Sequence, residues 1–339
     1  VPLIMTPWNY ELFEFNKMLL VYLFTIIIVA AWLIKMIVAK KFIFKRSFWD
    51  IPLLIFFASQ FISLLISIDH HTSLWGYYSR FNGGLVSIFS YLLLYWAFVS
   101  NMDKRKTLCS MFYVLCSATL VAFYGIAEHL GIDAKAWVQD VQSRVFSTLG
   151  QPNWLAAWLV AIIPLTWAYT LENLKLGLKN WRFYLYPLLF ILLFLCLLYT
   201  KSRSGILGFG VAAIVFWSLI FIIKRHQIKT ILKPFLLLAI SFLLLAIIVG
   251  TPWTPSLSQL INRKPEVKTT TATQASPLLI SESSDIRKVV WKGAIEVWKH
   301  SPVFGTGVET FAYSYYWYRP REHNDLSEWD FLYNKAHNE

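Results

Sequence analysis

Four arginines, one histidine and one asparagine stand where chemistry could be done in an otherwise apolar chain. Arg203 lies in Tyr199-Thr200-Lys201-Ser202-Arg203-Ser204-Gly205, between two apolar runs. Arg144 and Asn153 lie in Ser143-Arg144-Val145-Phe146-Ser147-Thr148-Leu149-Gly150-Gln151-Pro152-Asn153, and Arg80 in Tyr78-Ser79-Arg80-Phe81-Asn82-Gly83-Gly84. Arg287 sits in Asp285-Ile286-Arg287-Lys288-Val289-Val290-Trp291, and His337 is followed by Asn338 near the end. A guanidinium binds two phosphate oxygens at once with its planar fork. Next to a membrane it is costly to desolvate and tends to face a cavity. The competing reading of each arginine is an anchor that snorkels to the headgroups or a solvated surface charge. A neutral imidazole takes a proton near pH 7. A lone histidine is nevertheless usually without a special role, and His70, His71, His129, His300 and His323 compete with His337. Asn153 follows Gly150 and Pro152 at the entry to an apolar run and reads equally as a helix N-cap.

No spacing suggests a metal. There is no His-x-x-x-His, no cysteine pair and no carboxylate cluster, and acids are sparse after Val249, so divalent-metal catalysis and a bound cofactor are not expected. Cys109, Cys116 and Cys196 all fall inside apolar runs and suggest neither a metal site nor a disulfide.

The elements that must position these residues are membrane helices. The chain is 57% hydrophobic and 15% charged, where a soluble protein carries about 25% charged residues. Apolar runs recur at Met18–Ile34, Ile51–Ile68, Leu85–Val99, Leu108–Ala127, Trp154–Leu171, Tyr184–Tyr199, Gly205–Ile223 and Ile231–Val249. Most approach the length needed to cross a hydrocarbon core of ~30 Å, and the third is short enough to thin the bilayer locally. Eight such runs leave no polar faces for a soluble helical protein. The fold class is therefore all-α and polytopic, with about eight transmembrane helices. Pro164 is tolerable within a packed bundle.

The net charge of +12 sits in short connections rather than in a nucleic-acid-binding surface. The odd connections carry fifteen Lys and Arg and the even ones five. The positive-inside rule then places the odd connections in the cytoplasm. The even connections, the start of the chain and residues 250–339 are expected outside. On this reading the chain divides into a transmembrane bundle, 1–249, and an extracytoplasmic loop, 250–339. An outward start, on Val1 and without a cleavable signal, leads us to expect a further helix before it and closing helices after Glu339.

The outer segment has its own order. Thr251–Ser281 is rich in Thr, Ser and Pro and reads as a mobile loop. Asp285–His300 reads as a helix capped by Ser284, with Ile286, Val290, Ala294 and Val297 on one stripe. Arg287, Trp291, Ala294 and Trp298 share an adjoining face. Pro302–Gly307 is a turn, and Glu309–Tyr318 an aromatic helix suited to the headgroup region.

In order, these motifs resemble the O-antigen ligase and polymerase superfamily of bacterial membrane glycosyltransferases. Gly150-Gln151-Pro152-Asn153-Trp154-Leu155-Ala156 is similar to its Asn-Pro-Asn-x-x-Ala entry, with Gln151 departing from the first Asn. Thr200–Gly205 resembles its Ser-Arg-Gly/Ala helix start, Arg287 with Trp291 its Arg-x-x-x-Trp helix, and Pro302–Gly307 its Pro-x-x-Gly-x-Gly turn. Ala336-His337-Asn338 resembles its His-Asn before the next span. The resemblance implies a membrane C-type glycosyltransferase fold, in the bacterial inner membrane, and metal-independent transfer from an undecaprenyl-diphosphate-linked glycan donor. Arg203 and Arg287 would then hold the diphosphate, and His337 would activate the acceptor hydroxyl. Arg144, Asn153 and Arg80 are expected as further substrate-binding residues. The acceptor is left open between lipid A core, another glycan and a protein. Membrane lipids are the remaining partner, and no nucleic acid is expected. The competing functional readings are a transporter or flippase of lipid-linked oligosaccharide, which predicts ionisable residues at mid-membrane, and a membrane assembly protein.

Overall fold

The computed structural model describes residues 1–6, 11–78, 80–174, 180–261 and 283–336. Among them there is no strand; the chain is all-α. All eight apolar runs are helical: α1 (Glu14–Val38), α2 (Asp50–Leu65), α4 (Leu85–Asn101), α5 (Lys104–His129), α6 (Pro152–Asn173), α7 (Arg182–Tyr199), α8 (Arg203–Ile223) and α9 (Ile228–Val249). The described residues also form short helices α3 (His70–Trp75) and α10 (Leu257–Ile261), and the later helices α11 (Ser283–His300) and α12 (Phe311–Tyr318).

The expectation of eight crossings is met only in part. Five helices, α1, α5, α6, α8 and α9, are long and apolar enough to cross a membrane, whereas α2, α4 and α7 are shorter apolar helices. The reason for α2 is local: it stops at Leu65, and Ile68 N–H bonds instead to the Thr306 carbonyl at 3.0 Å. At ~1.5 Å per residue its 16 residues reach only about 24 Å. What remains firm is a polytopic membrane protein with large apolar surfaces on α1, α8 and α9, which lipid rather than water would cover.

The residues group into two compact units, along a different line from hydropathy. The first holds residues 1–6 and 103–268. Its core is aromatic: the fully buried Trp167 of α6 meets Phe190, Phe209, Phe216 and Trp217 with ring centroids 5.2–6.1 Å apart. The start of α8 lies tight against α6. A Cβ at Gly205 would come 2.5 Å from the Ala156 Cβ, so small residues permit this close approach.

The second unit holds residues 7–102 and 269–339. Here α4 packs on both α1 and α2. The turn at residues 302–308 is stitched to α2 and α3 by Ser63 Oγ donating to Phe304 O (2.7 Å) and Ser73 Oγ donating to Val308 O (2.8 Å). Gly307 has φ +122°, and a side chain there would strike the Ser67 hydroxyl, so both backbone and space demand glycine. Ile286, Val290 and Val297 of α11 are buried, as the stripe predicts, with Gly293 rather than Ala294 completing it. The helix begins at Ser283, so Ser284 lies within it and is not the cap. Of the expected Thr251–Ser281 loop, Thr251–Thr254 form a turn and Leu257–Ile261 a helix; residues 262–281 fall outside the described residues.

Candidate functional site

In the first unit, three of the six expected site residues gather at one turn. Arg203 opens α8, and its cap Ser202 accepts from Gly205 N–H at 3.1 Å. The same Ser202 hydroxyl donates to Asn153 Oδ1 at 2.9 Å. Asn153 is therefore not an N-cap; Gln151 is, and Pro152 starts α6. The amide instead ties the N-terminus of α6 to that of α8. Arg144 reaches the other side of this turn, its Nε donating to the Thr200 carbonyl at 3.2 Å, while Val145 N–H donates to Tyr199 O. Between them Lys201 is held at φ +48°, left-handed backbone that a lysine adopts only under constraint.

Sequence reasoning missed what fixes this loop. Glu128, fully buried at the end of α5, accepts from Phe146 N–H (3.1 Å) and Ser147 N–H (2.7 Å) through one carboxylate oxygen. A single acid at the end of an apolar run was the available signal. His129 next to it stacks on Tyr199 at 3.8 Å. The loop is thus a rigid support for Arg144.

The charge of this corner is positive and uncompensated. Arg203 is exposed and makes no hydrogen bond or ion pair among the described residues. Beside it are two helix N-termini, whose dipoles favour an anion. The arrangement can take up a multiply charged anion such as a phosphate ester.

In the second unit, Arg287 is exposed on α11 and likewise has no partner among the described residues. One turn on, the Trp291 indole N–H donates to the Ala336 carbonyl at 3.1 Å. Arg287 and the backbone leading to His337 are therefore held to one face of α11. His337 and Asn338 lie outside the described residues. Arg80 is placed differently: its Nε is 3.4 Å from Glu14 Oε2, in an ion pair at the start of α1. Glu309 and Lys335 form a second, looser pair at 4.0 Å. Glu309 is a single acid beside an aromatic run, and Glu14 follows Glu11 by three residues; neither was read in the sequence as part of a site.

Two of the competing histidines, His323 and His300, make structural contacts. His323 is buried, its Nδ1 2.9 Å from the Tyr315 hydroxyl. Burial, helped by the Arg319 charge, lowers its pKa, while burial pushes the Tyr315 phenol up to about 12. His300 Nδ1 is 2.9 Å from the Glu296 carbonyl. Among the described residues no three His, Cys, Asp or Glu side chains group as metal ligands would.

A family model described as O-antigen ligase matches residues 188–339, a stretch that contains Arg203, Arg287 and His337 but not Arg80, Arg144 or Asn153. No curated protein and no solved structure matches the chain. The matching stretch supports, at the level of that family, an enzyme of O-antigen assembly with a lipid-linked glycan as substrate. Over residues 188–339 the chain is therefore similar to the O-antigen ligase family, and its run of apolar helices fits a polytopic membrane protein.

Proposed function

We propose that the chain transfers or polymerises an undecaprenyl-diphosphate-linked glycan onto an acceptor hydroxyl, without a metal ion, at the outer face of the bacterial inner membrane. The observation that carries this reading is Arg203: an exposed guanidinium at a helix N-terminus, without a protein partner among the described residues, beside a second helix N-terminus. Such a corner suits the charge that develops on a departing diphosphate. Arg144 and Asn153 shape it, and Arg287, also without a protein partner among the described residues, is given diphosphate binding by the family resemblance. Arg80, paired with Glu14, is assigned to substrate only through that pair.

The step is a displacement at the anomeric carbon. The acceptor oxygen bonds to that carbon, the bond from carbon to the diphosphate oxygen breaks, and the diphosphate leaves with the electron pair. His337 takes the acceptor proton. Charge on the leaving group is met by guanidinium groups, which supply fixed positive charge. The reading keeps eight crossings in a membrane C-type glycosyltransferase fold, the shorter helices α2, α4 and α7 crossing a locally thinned bilayer. It also keeps residues 250–339 outside, where donor and acceptor meet.

The test is transfer by purified full-length protein, given lipid-linked donor and a panel of lipid A core, glycan and protein acceptors. Product on one acceptor class is expected, with loss of more than a hundredfold in His337→Ala and donor binding kept. Movement of the donor across vesicles with no product on any acceptor would replace this reading with the flippase.

A further inference from the structure

We propose that Glu309 is a positioning residue for the reaction: through Lys335 it fixes the backbone that leads into His337. This rests on the reading of His337 as the general base.

Glu309 stands at φ +59°, in left-handed backbone that costs a side-chain-bearing residue free energy. Asparagine, aspartate and glycine are the residues that occupy such positions readily; glutamate is not. Strain of this kind persists where surrounding structure over-determines it, and it concentrates at functional sites. The surroundings here do so. The turn before it is anchored by Thr310 N–H and Oγ1 on Gly307 O, and by Ser73 Oγ on Val308 O. The carboxylate lies where a side chain on residue 83 would be, so Gly83 makes the space it occupies. The result is a carboxylate aimed at Lys335, with 14% of its side chain exposed and 31% of the lysine's.

A solvent-exposed pair at 4.0 Å would contribute little. This one is largely covered, and it is not alone. Glu14, 12% exposed, sits close enough to Lys335 to interact with it and is itself paired with Arg80. Asn82 Nδ2 reaches the same Glu14 oxygen at 3.5 Å. The Lys335 ammonium therefore pairs with Glu309, in the turn before α12, and feels the charge of a second largely covered acid, Glu14 at the start of α1. On the next residue the Ala336 carbonyl is held by Trp291. Two consecutive residues before His337 are thus fixed from separate directions, one by charge and one by a hydrogen bond. An isolated structural pair would not require a strained backbone to deliver its acid, whereas a base that must meet an acceptor hydroxyl within a fraction of an ångström does.

The variants Glu309→Gln, Glu309→Gly and Lys335→Met separate position from stability. Glu309→Gly removes the carboxylate and relieves the left-handed strain, so it should unfold at a temperature no lower than wild type. The readouts are transfer kinetics and backbone hydrogen exchange at Asn334–Ala336, on full-length protein. All three variants should lose about tenfold in kcat with donor KM within twofold, and exchange at Asn334–Ala336 should quicken at least tenfold. The double variant Glu309→Gln with Lys335→Met should be no slower than either single one, and Glu309→Gln should cost nothing further in a His337→Ala background. Unchanged exchange in Glu309→Gly would overturn the clamp whatever the rates are. Faster exchange with a wild-type kcat would overturn its role in the reaction. Should His337→Ala itself transfer at the wild-type rate, the general-base reading fails, and exchange still decides whether Glu309 holds the segment.

Discussion

The indole N–H of Trp291 donates to the carbonyl of Ala336 at 3.1 Å, across 45 residues of sequence. Trp291 follows Arg287 by one helical turn, and Ala336 precedes His337. One hydrogen bond therefore joins two motifs that the sequence presents as separate. It gives the arginine-to-tryptophan spacing a physical reason: residues four apart on a helix share a face, and this face carries both the exposed guanidinium and the anchor for the terminal segment.

Trp291→Phe removes the donor and keeps a ring. A hydrogen bond of this kind is worth about 0.5–1.5 kcal/mol, so kcat for transfer is expected to fall roughly two- to tenfold, with donor KM unchanged and helix content by circular dichroism unchanged. Steady-state kinetics across donor concentration check it. A kcat equal to wild type would show that the bond does not bear on the reaction.

The contact between α6 and α8 makes a second expectation. A Cβ on residue 205 would lie 2.5 Å from the Ala156 Cβ, far inside the ~3.5–4.0 Å of carbon contact. Gly205→Ala should destabilise by about 1–3 kcal/mol through overpacking. Ala156→Gly added to it should recover much of the loss, because the clash is pairwise. Thermal unfolding in detergent reads both. Equal melting of the single and double variants would mean the helices part by another route.

Helices were legible because apolar runs are a strong local signal, and all eight runs are helical. Crossing length was less so: α2 ends where Ile68 turns to bond Thr306, a partner 238 positions away that no local pattern announces. The arginines stood out as charges beside apolar runs, and Arg203 and Arg287 are exposed. Asn153 was visible as a residue but its link to Ser202 was not, since the two belong to different helices. Glu128 and Glu309 were missed for one shared reason. A single acid carries no spacing, and its meaning comes from the backbone amides or cations that folding brings to it.

His323 predicts a pH dependence. Its pKa is lowered in the folded protein, chiefly by burial and further by Arg319. The unfolded chain therefore binds the proton more readily, and stability rises with pH over that window. The contribution is fully present above the unfolded value near 6.5. It is lost progressively as pH falls from there towards the lower folded pKa. The melting temperature should decline on that acid side, and His323→Gln should flatten the decline while lowering stability at pH 8 through the lost bond to Tyr315. Parallel slopes in wild type and variant would assign the decline to other groups.

Arg203 offers the sharpest separation of function from stability. Its side chain makes no hydrogen bond or ion pair among the described residues, so its removal costs the fold no partner. Placed at the positive end of α8, the arginine is mildly unfavourable to its own helix, since a cation there opposes the dipole. Arg203→Ala should therefore melt at or slightly above the wild-type temperature. Transfer should nonetheless fall at least a hundredfold. A charge-assisted hydrogen bond contributes about 1.5–3 kcal/mol, and a forked guanidinium makes two to one phosphate group. Arg203→Lys keeps the charge but loses the fork, so it should recover only a minor part of the rate, mostly at low salt where a point charge is least screened. The measurements are melting temperature and single-turnover transfer at two ionic strengths. If Arg203→Lys matched wild type at both, charge alone would suffice and the forked contact would be discarded. If Arg203→Ala melted several degrees lower, the arginine would be a structural residue, and the diphosphate would have to be held elsewhere.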